Sequence, residues 1–161
     1  MSGHVEETVL ALLREKGLTF SAAESCTGGL IAKRFTDLPG ASAVFTGGVV
    51  SYTNAVKAGV LGVAPALLEK YGAVSAPVAQ AMAEGVRRIT GSDAAVSATG
   101  VAGPDSDERS NPVGLVYLGY ADQRGAVAVK CRFSGTREDI RAAAADRAFA
   151  LLAEHLSGEE L

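Results

Sequence analysis

The chain has 161 residues, 48% of them hydrophobic, with a formal charge of −3 and no Trp. That length and composition describe one globular domain over 1–161 that buries a full core without staples, and they exclude disordered and membrane-spanning chains. The basic residues are scattered rather than striped, no stretch of about 18 residues is apolar throughout, and the opening MSGHVEETVLALLREKG lacks a cationic leader with a cleavage site. No nucleic acid, membrane or export partner is therefore expected. The two cysteines, Cys26 and Cys131, lie far apart without CxxC or His spacing, so neither a disulfide nor a zinc site is indicated and a reducing cytoplasm is the expected location.

In chain order, Val5 to Glu15 carries apolar residues at Val5, Val9, Leu10, Leu12 and Leu13, a helical stripe that Lys16-Gly17 ends. Leu18 to Ala23 reads as a strand, and Gly28 to Leu38 as a helix closed by Pro39-Gly40. Ala43 to Tyr52 is rich in β-branched and aromatic residues and is predicted as a strand, with Gly47-Gly48 marking a bulge or a close backbone approach. Short helices follow from Asn54 to Gly62 and from Ala66 to Tyr71, and Pro77 opens a longer one to about Thr90. Asp93 to Ala98 is an apolar strand that breaks at Thr99-Gly100. After the polar loop Asp105 to Pro112, Val113 to Ala121 and Ala126 to Phe133 form a hairpin, and a last helix runs from Thr136 to Leu156. Helices alternating with mostly isolated strands predict an α/β sheet covered on both faces, and the late hairpin makes it mixed.

The chemistry concentrates in Leu18 to Leu30, LTFSAAESCTGGL, where a strand hands over to a helix through a hydroxyl, a thiol and glycines. Ligands of open α/β sheets collect at the carboxyl ends of strands, where Ser25, Tyr52 and Thr99 would each emerge. Ser25 is the candidate nucleophile, with backbone N–H groups around Thr27, Gly28 and Gly29, or at Gly100, to stabilise an oxyanion. His4 and His155 fall in ordinary solvated helix contexts, which leaves a Ser-His-Asp arrangement little support. Lys57 is the better base. A free lysine titrates near 10.4, so Lys57 requires burial or a hydrogen-bonding partner, which Tyr52 could supply. Blander roles stand beside these: a helix cap for Ser25, Thr27 or Thr99, a surface charge for Lys57, packing for Tyr52. Cys26 could attack in place of Ser25 or simply pack, and Arg137 and Arg141, one turn apart, could hold an anion or form a solvated face.

The segments AAESCTGGLIAKRFTDLPGAS, FTGGVVSYTNAVKAGVLGV, ATGVAGP, PVGLVYLGYA and FSGTREDIRAAAADRA resemble the CinA C-terminal family, the nicotinamide-mononucleotide amidases, over nearly the whole chain. The resemblance implies a three-layer α/β/α sandwich with a mixed, mostly parallel sheet. It further implies hydrolysis of nicotinamide mononucleotide to nicotinate mononucleotide and ammonia with neither metal nor cofactor. By position it makes Ser25 the nucleophile, Lys57 the catalytic lysine, Tyr52 the active-site tyrosine and Thr99 a substrate contact. The expected partner is this small nucleotide, bound by Thr27, Gly28, Gly29, Thr99, Gly100 and Arg137. Arg137 is the first choice for the phosphate, and the Gly28 and Gly29 amides compete for it. A homo-oligomer stays open, and a module that binds nucleotide without hydrolysis is the alternative. Where many relatives continue with glycines, this chain has Asp105-Ser106-Asp107-Glu108-Arg109, a bulkier and more acidic loop. Such relatives often carry a larger N-terminal domain, so the expectation here is a stand-alone form.

Overall fold

Strand β1 (Phe20–Glu24) is buried along its entire length, and its sequence FSAAE shows how: small side chains at Ser21, Ala22 and Ala23 let helices approach both faces. The computed structural model describes residues 4–161; the first three residues of the opening that was read for a leader lie outside them. β1 lies between β2 (Phe45–Val50) and β3 (Ala94–Gly100) and is parallel to both, while β4 (Leu115–Asp122) and β5 (Gly125–Arg132) continue the sheet antiparallel in the order β2-β1-β3-β4-β5. Because β5 is antiparallel to β4, four of the five strands point the same way.

Helices cover both faces, giving the expected three layers. On one face α1 (Val5–Lys16), α2 (Leu30–Thr36) and α6 (Arg137–Leu156) enclose a core in which Phe20 meets Phe35 edge-to-face at 4.7 Å. On the other, α4 (Pro65–Tyr71) and α5 (Ala76–Thr90) pack Leu68, Val78, Met82 and Val86 against Ala23 and Ala95. The short α3 (Asn54–Gly59) joins β2 to this second layer. Among the described residues no helix is long and apolar enough to cross a membrane.

Three details refine the sequence reading. The bulge at the glycines is real: Phe20 pairs with Phe45 but Ser21 pairs with Gly47, so Thr46 is the extra residue. A Cβ on Gly48 would stand 3.0 Å from the Ala22 carbonyl, which is the close approach that requires glycine. Thr99 and Gly100 belong to β3 rather than to the loop after it, because β4 offers them Tyr117 and Val116 as partners. Helix α2 starts at Leu30, two residues later than the glycine pair suggests, since Gly28 and Gly29 take left-handed φ values of 59° and 105°.

Helix α5 sits so close to the sheet that a Cβ on Gly119 of β4 would overlap both the Ala79 carbonyl and the Ser97 hydroxyl, which bond each other at 2.6 Å. Gly119→Ala should therefore lower stability by about 1–3 kcal/mol through overpacking. Urea unfolding showing a midpoint unchanged from wild type would contradict this account of the α5 contact.

Candidate active site

The site begins where β1 ends. Glu24 pairs with Val50 of β2 and Ala98 of β3, and the ladders run one step further: the Ser51 amide donates to the Glu24 carbonyl at 2.7 Å and the Ser25 amide to the Ala98 carbonyl at 2.9 Å. Ser25 is thus pinned on both sides at the carboxyl ends of three parallel strands. Its hydroxyl opens into a cleft of about 380 Å³ that Tyr52, Lys57, Thr99, Gly100 and Arg137 also line. This lies at the switch in strand order, where β1 connects outward to β2 and the chain later returns on its other side as β3.

Lys57 reaches Ser25 because of where α3 starts. Thr53 caps the helix, its hydroxyl accepting from the Val56 amide at 3.3 Å, which places Lys57 one turn in. Helical side chains lean back toward the N-terminus, so the Lys57 stem folds over the helix start toward the strand ends. Its Nζ stands 2.9 Å from Ser25 Oγ, 2.8 Å from the Ser51 carbonyl and 3.3 Å from the Tyr52 carbonyl. The residue is 1% exposed. Burial without a paired carboxylate disfavours the ammonium and brings Lys57 down to about 8, although Cys26 and Glu108 nearby oppose the shift. The three oxygens can accept all three N–H bonds of the ammonium; in the neutral amine, two N–H bonds point to the carbonyls and the lone pair is free for the Ser25 hydroxyl.

Other expected residues divide. Thr99 is buried on the cleft wall, its hydroxyl donating to the Ala73 carbonyl at 2.8 Å, and Gly100 beside it lines the cleft. Arg137 also lines it, with Nη1 donating to the Gly103 carbonyl and Nη2 to the Tyr52 hydroxyl at 3.2 Å. Tyr52 therefore meets Lys57 through its carbonyl, whereas its phenol lies at the exposed mouth with Arg137 and does not touch the amine. Thr27, Gly28 and Gly29 are not part of the cleft lining. The Gly28 amide is spent on the Ser25 carbonyl at 3.0 Å, and the free amides that begin α2, at Ile31 and Ala32, are taken by the Glu24 carboxylate at 2.8 and 3.0 Å. An anion has no place at that helix end because Glu24 already occupies it.

Arg141, one turn beyond Arg137, holds the same turn from outside, donating to the Cys26 and Thr27 carbonyls at 3.1 and 2.8 Å. Cys26 lines the cleft, but burial pushes its thiol up to about 12, and with α2 starting at Leu30 it gains nothing from a helix N-terminus. His155 is not solvated as its helix position suggests; it is buried against the Tyr120 ring at 4.4 Å, outside the residues that line the cleft. Sequence reasoning missed Glu24, which a carboxylate just ahead of a helix start could have signalled, and Ser51, which contributes a carbonyl that no side chain announces. Among the described residues no three His, Cys, Asp or Glu side chains group closely enough to hold a metal ion.

Residues 3–156 match the family model described as CinA C-terminal domain. The chain is 54% identical over 137 residues to a CinA-like protein of Geobacter sulfurreducens and 50% identical over 137 residues to another of Geobacter metallireducens, in each case covering 85% of this chain and 33% of the relative. It thus spans about a third of the length of the curated relatives it matches. Among solved structures, the competence/damage inducible protein CihA from Agrobacterium tumefaciens superposes with a TM-score of 0.89 at 38% identity, over 98% of this chain and 99% of that one. A CinA superfamily protein from Klebsiella pneumoniae gives 0.93 at 31% identity, over 96% and 97%. With the family model spanning nearly all of it and relatives of this identity matching most of its length, the chain belongs to the CinA C-terminal domain family.

Proposed function

We propose that this domain is an amidohydrolase that converts nicotinamide mononucleotide to nicotinate mononucleotide and ammonia through a Ser25 acyl-enzyme. The observation that carries the reading is the buried amine of Lys57, 2.9 Å from the Ser25 hydroxyl, with its N–H groups directed to carbonyls rather than to a carboxylate. Lys57 accepts the Ser25 proton as Oγ bonds the carboxamide carbon. The same proton passes to the nitrogen as the C–N bond breaks, and ammonia leaves. Water then attacks the ester carbon, giving a proton to Lys57 that returns to Oγ when the acyl bond breaks. The oxyanion is assigned to the Cys26 amide, which directly follows the nucleophile and bonds no other backbone group among the described residues. Arg137, steadied by Gly103 and the Tyr52 hydroxyl, is the phosphate contact.

Ser25→Ala should abolish ammonia release while leaving substrate binding and fold intact, because a single hydroxyl in a turn contributes little stability and a nucleophile several orders of magnitude in rate. Ammonia release at the wild-type rate by Ser25→Ala would remove the assignment. With Arg137 on the phosphate, nicotinamide riboside should be hydrolysed far more slowly than the mononucleotide, and Arg137→Ala should narrow that gap. Equal kcat/KM for riboside and mononucleotide in the wild type would eliminate phosphate recognition.

Lys57 is a base only once deprotonated, so kcat/KM should rise with pH along an ionisation near 8. Lys57→Arg, permanently protonated, should lose about 10²-fold or more in rate. The same group sets a stability signature. The unfolded chain holds this proton up to about 10.4, the folded chain only up to about 8, so stability rises with pH between those values and the full cost of burial is present below 8. Lys57→Met removes that slope, and its Tm relative to wild type should therefore be highest near pH 7 and fall toward pH 10. A Tm difference constant across that range would show that the amine is not desolvated in the folded protein.

A further inference from the structure

The cleft carries charge of both signs, and the negative side has no use in the reaction just described. Arg137 lines the cleft, and so do Asp107 and Glu108 of the 105–112 loop. Asp107 is consumed by its own loop, its carboxylate accepting from the Arg109 amide at 3.1 Å and from the Asn111 amide and side chain at 2.8 Å each. Arg109 ties the loop to the fold through the carbonyls of Leu68, Glu69 and Lys70 at the end of α4. Glu108, held between these two anchors, makes no hydrogen bond or ion pair among the described residues, yet lies close enough to act on the charge of Lys57. Tyr52, which lines the same cleft, is 57% exposed.

An unpaired carboxylate and an exposed aromatic face bordering one cleft form the combination that holds a flat organic cation, by charge and by cation–π attraction. We propose that Glu108, together with the Tyr52 ring, selects ligands whose ring is cationic, while Arg137 takes the anionic end, so that the cleft is built for a zwitterionic pyridinium nucleotide. This rests on the reading of the site as a nicotinamide-nucleotide amidase. Attachment of the nicotinamide nitrogen to ribose makes the ring a pyridinium, and the phosphate supplies the opposite charge. A cationic ring beside Lys57 also disfavours the ammonium form, and Glu108 balances the ring without making an ion pair to the base. The acidic loop is thus a recognition element for the ring rather than an obstacle to the phosphate.

The test uses the full chain in the Ser25→Ala background, with calorimetric titration of oxidised nicotinamide mononucleotide, whose ring is a cation, and its reduced form, whose dihydropyridine ring is neutral. Glu108→Gln should weaken the oxidised form about fivefold and change the reduced form by less than about twofold. An equal effect on both forms, an effect on neither, or failure of Ser25→Ala to bind either would overturn the proposal. Ammonia release by the chain with Ser25 intact separates this from the reaction itself. If ammonia is released but Glu108→Gln acts on both ring forms alike, the ring selection falls alone. If Glu108→Gln acts on the oxidised form only and no ammonia appears, the selection stands and the amidase reading falls.

Discussion

An amine is kept in a place where an ammonium is poorly tolerated, and the site follows from that constraint. Lys57 is buried as deeply as the aromatic core residues, and every polar atom it meets is a neutral oxygen. A carboxylate at this point would stabilise the charged form and hold its pKa high, removing the lone pair that the proposed reaction requires. Main-chain carbonyls avoid this. They orient two N–H bonds and contribute no net charge, so geometry is gained without giving up basicity. The cost is borne by the fold: the stem of Lys57 must be enclosed, and Val63, donating its amide to the Lys57 carbonyl at 3.0 Å, closes the chain behind it.

Enclosure explains why the sequence showed so much of the fold and only part of the site. Strands and helices announced themselves through apolar spacing, and the glycine pair in β2 through its incompatibility with a plain strand. Ser25, Thr99 and Arg137 lie at strand or helix termini, where position follows from element order alone, and all three reach the cleft. Lys57 was different, since its spacing from Tyr52 fits a surface charge equally well; only the backward lean of a side chain in the first turn of α3 turns it inward. The role of Tyr52 was divided in a way that spacing cannot reveal, its carbonyl serving the amine and its phenol the mouth. Acceptors such as the Ser51 carbonyl have no residue-type signature at all.

The glycine-containing turn after Ser25 holds fewer free donors than its sequence suggests. Glycines before a helix suggest an anion cradle, but an internal carboxylate is an anion too, and Glu24 is attached to the strand that delivers the turn. Two charge-assisted bonds to Glu24 on one side and two from Arg141 on the other fix the segment that presents Ser25. With opposite charges at opposite edges, the turn is clamped without adding net charge near Lys57.

The same desolvation acts in opposite directions on neighbouring groups, and this bears on which of serine and cysteine attacks in the proposed reaction. Removing water penalises whichever form is charged: the ammonium for Lys57, the thiolate for Cys26. Lys57 falls to about 8 and becomes available as a base, whereas Cys26 rises to about 12 and is held as an inert thiol. A thiol needs ionisation before attack; a hydroxyl needs only a base positioned to take its proton during attack. Burial that lowers the lysine and raises the thiol therefore suits attack by Ser25, which has Nζ at 2.9 Å, over attack by the residue directly after it. The adjacent Cys26 contributes its side chain to the wall and, in the proposed reaction, its backbone N–H to the oxyanion, a division that depends on the same burial that lowers Lys57.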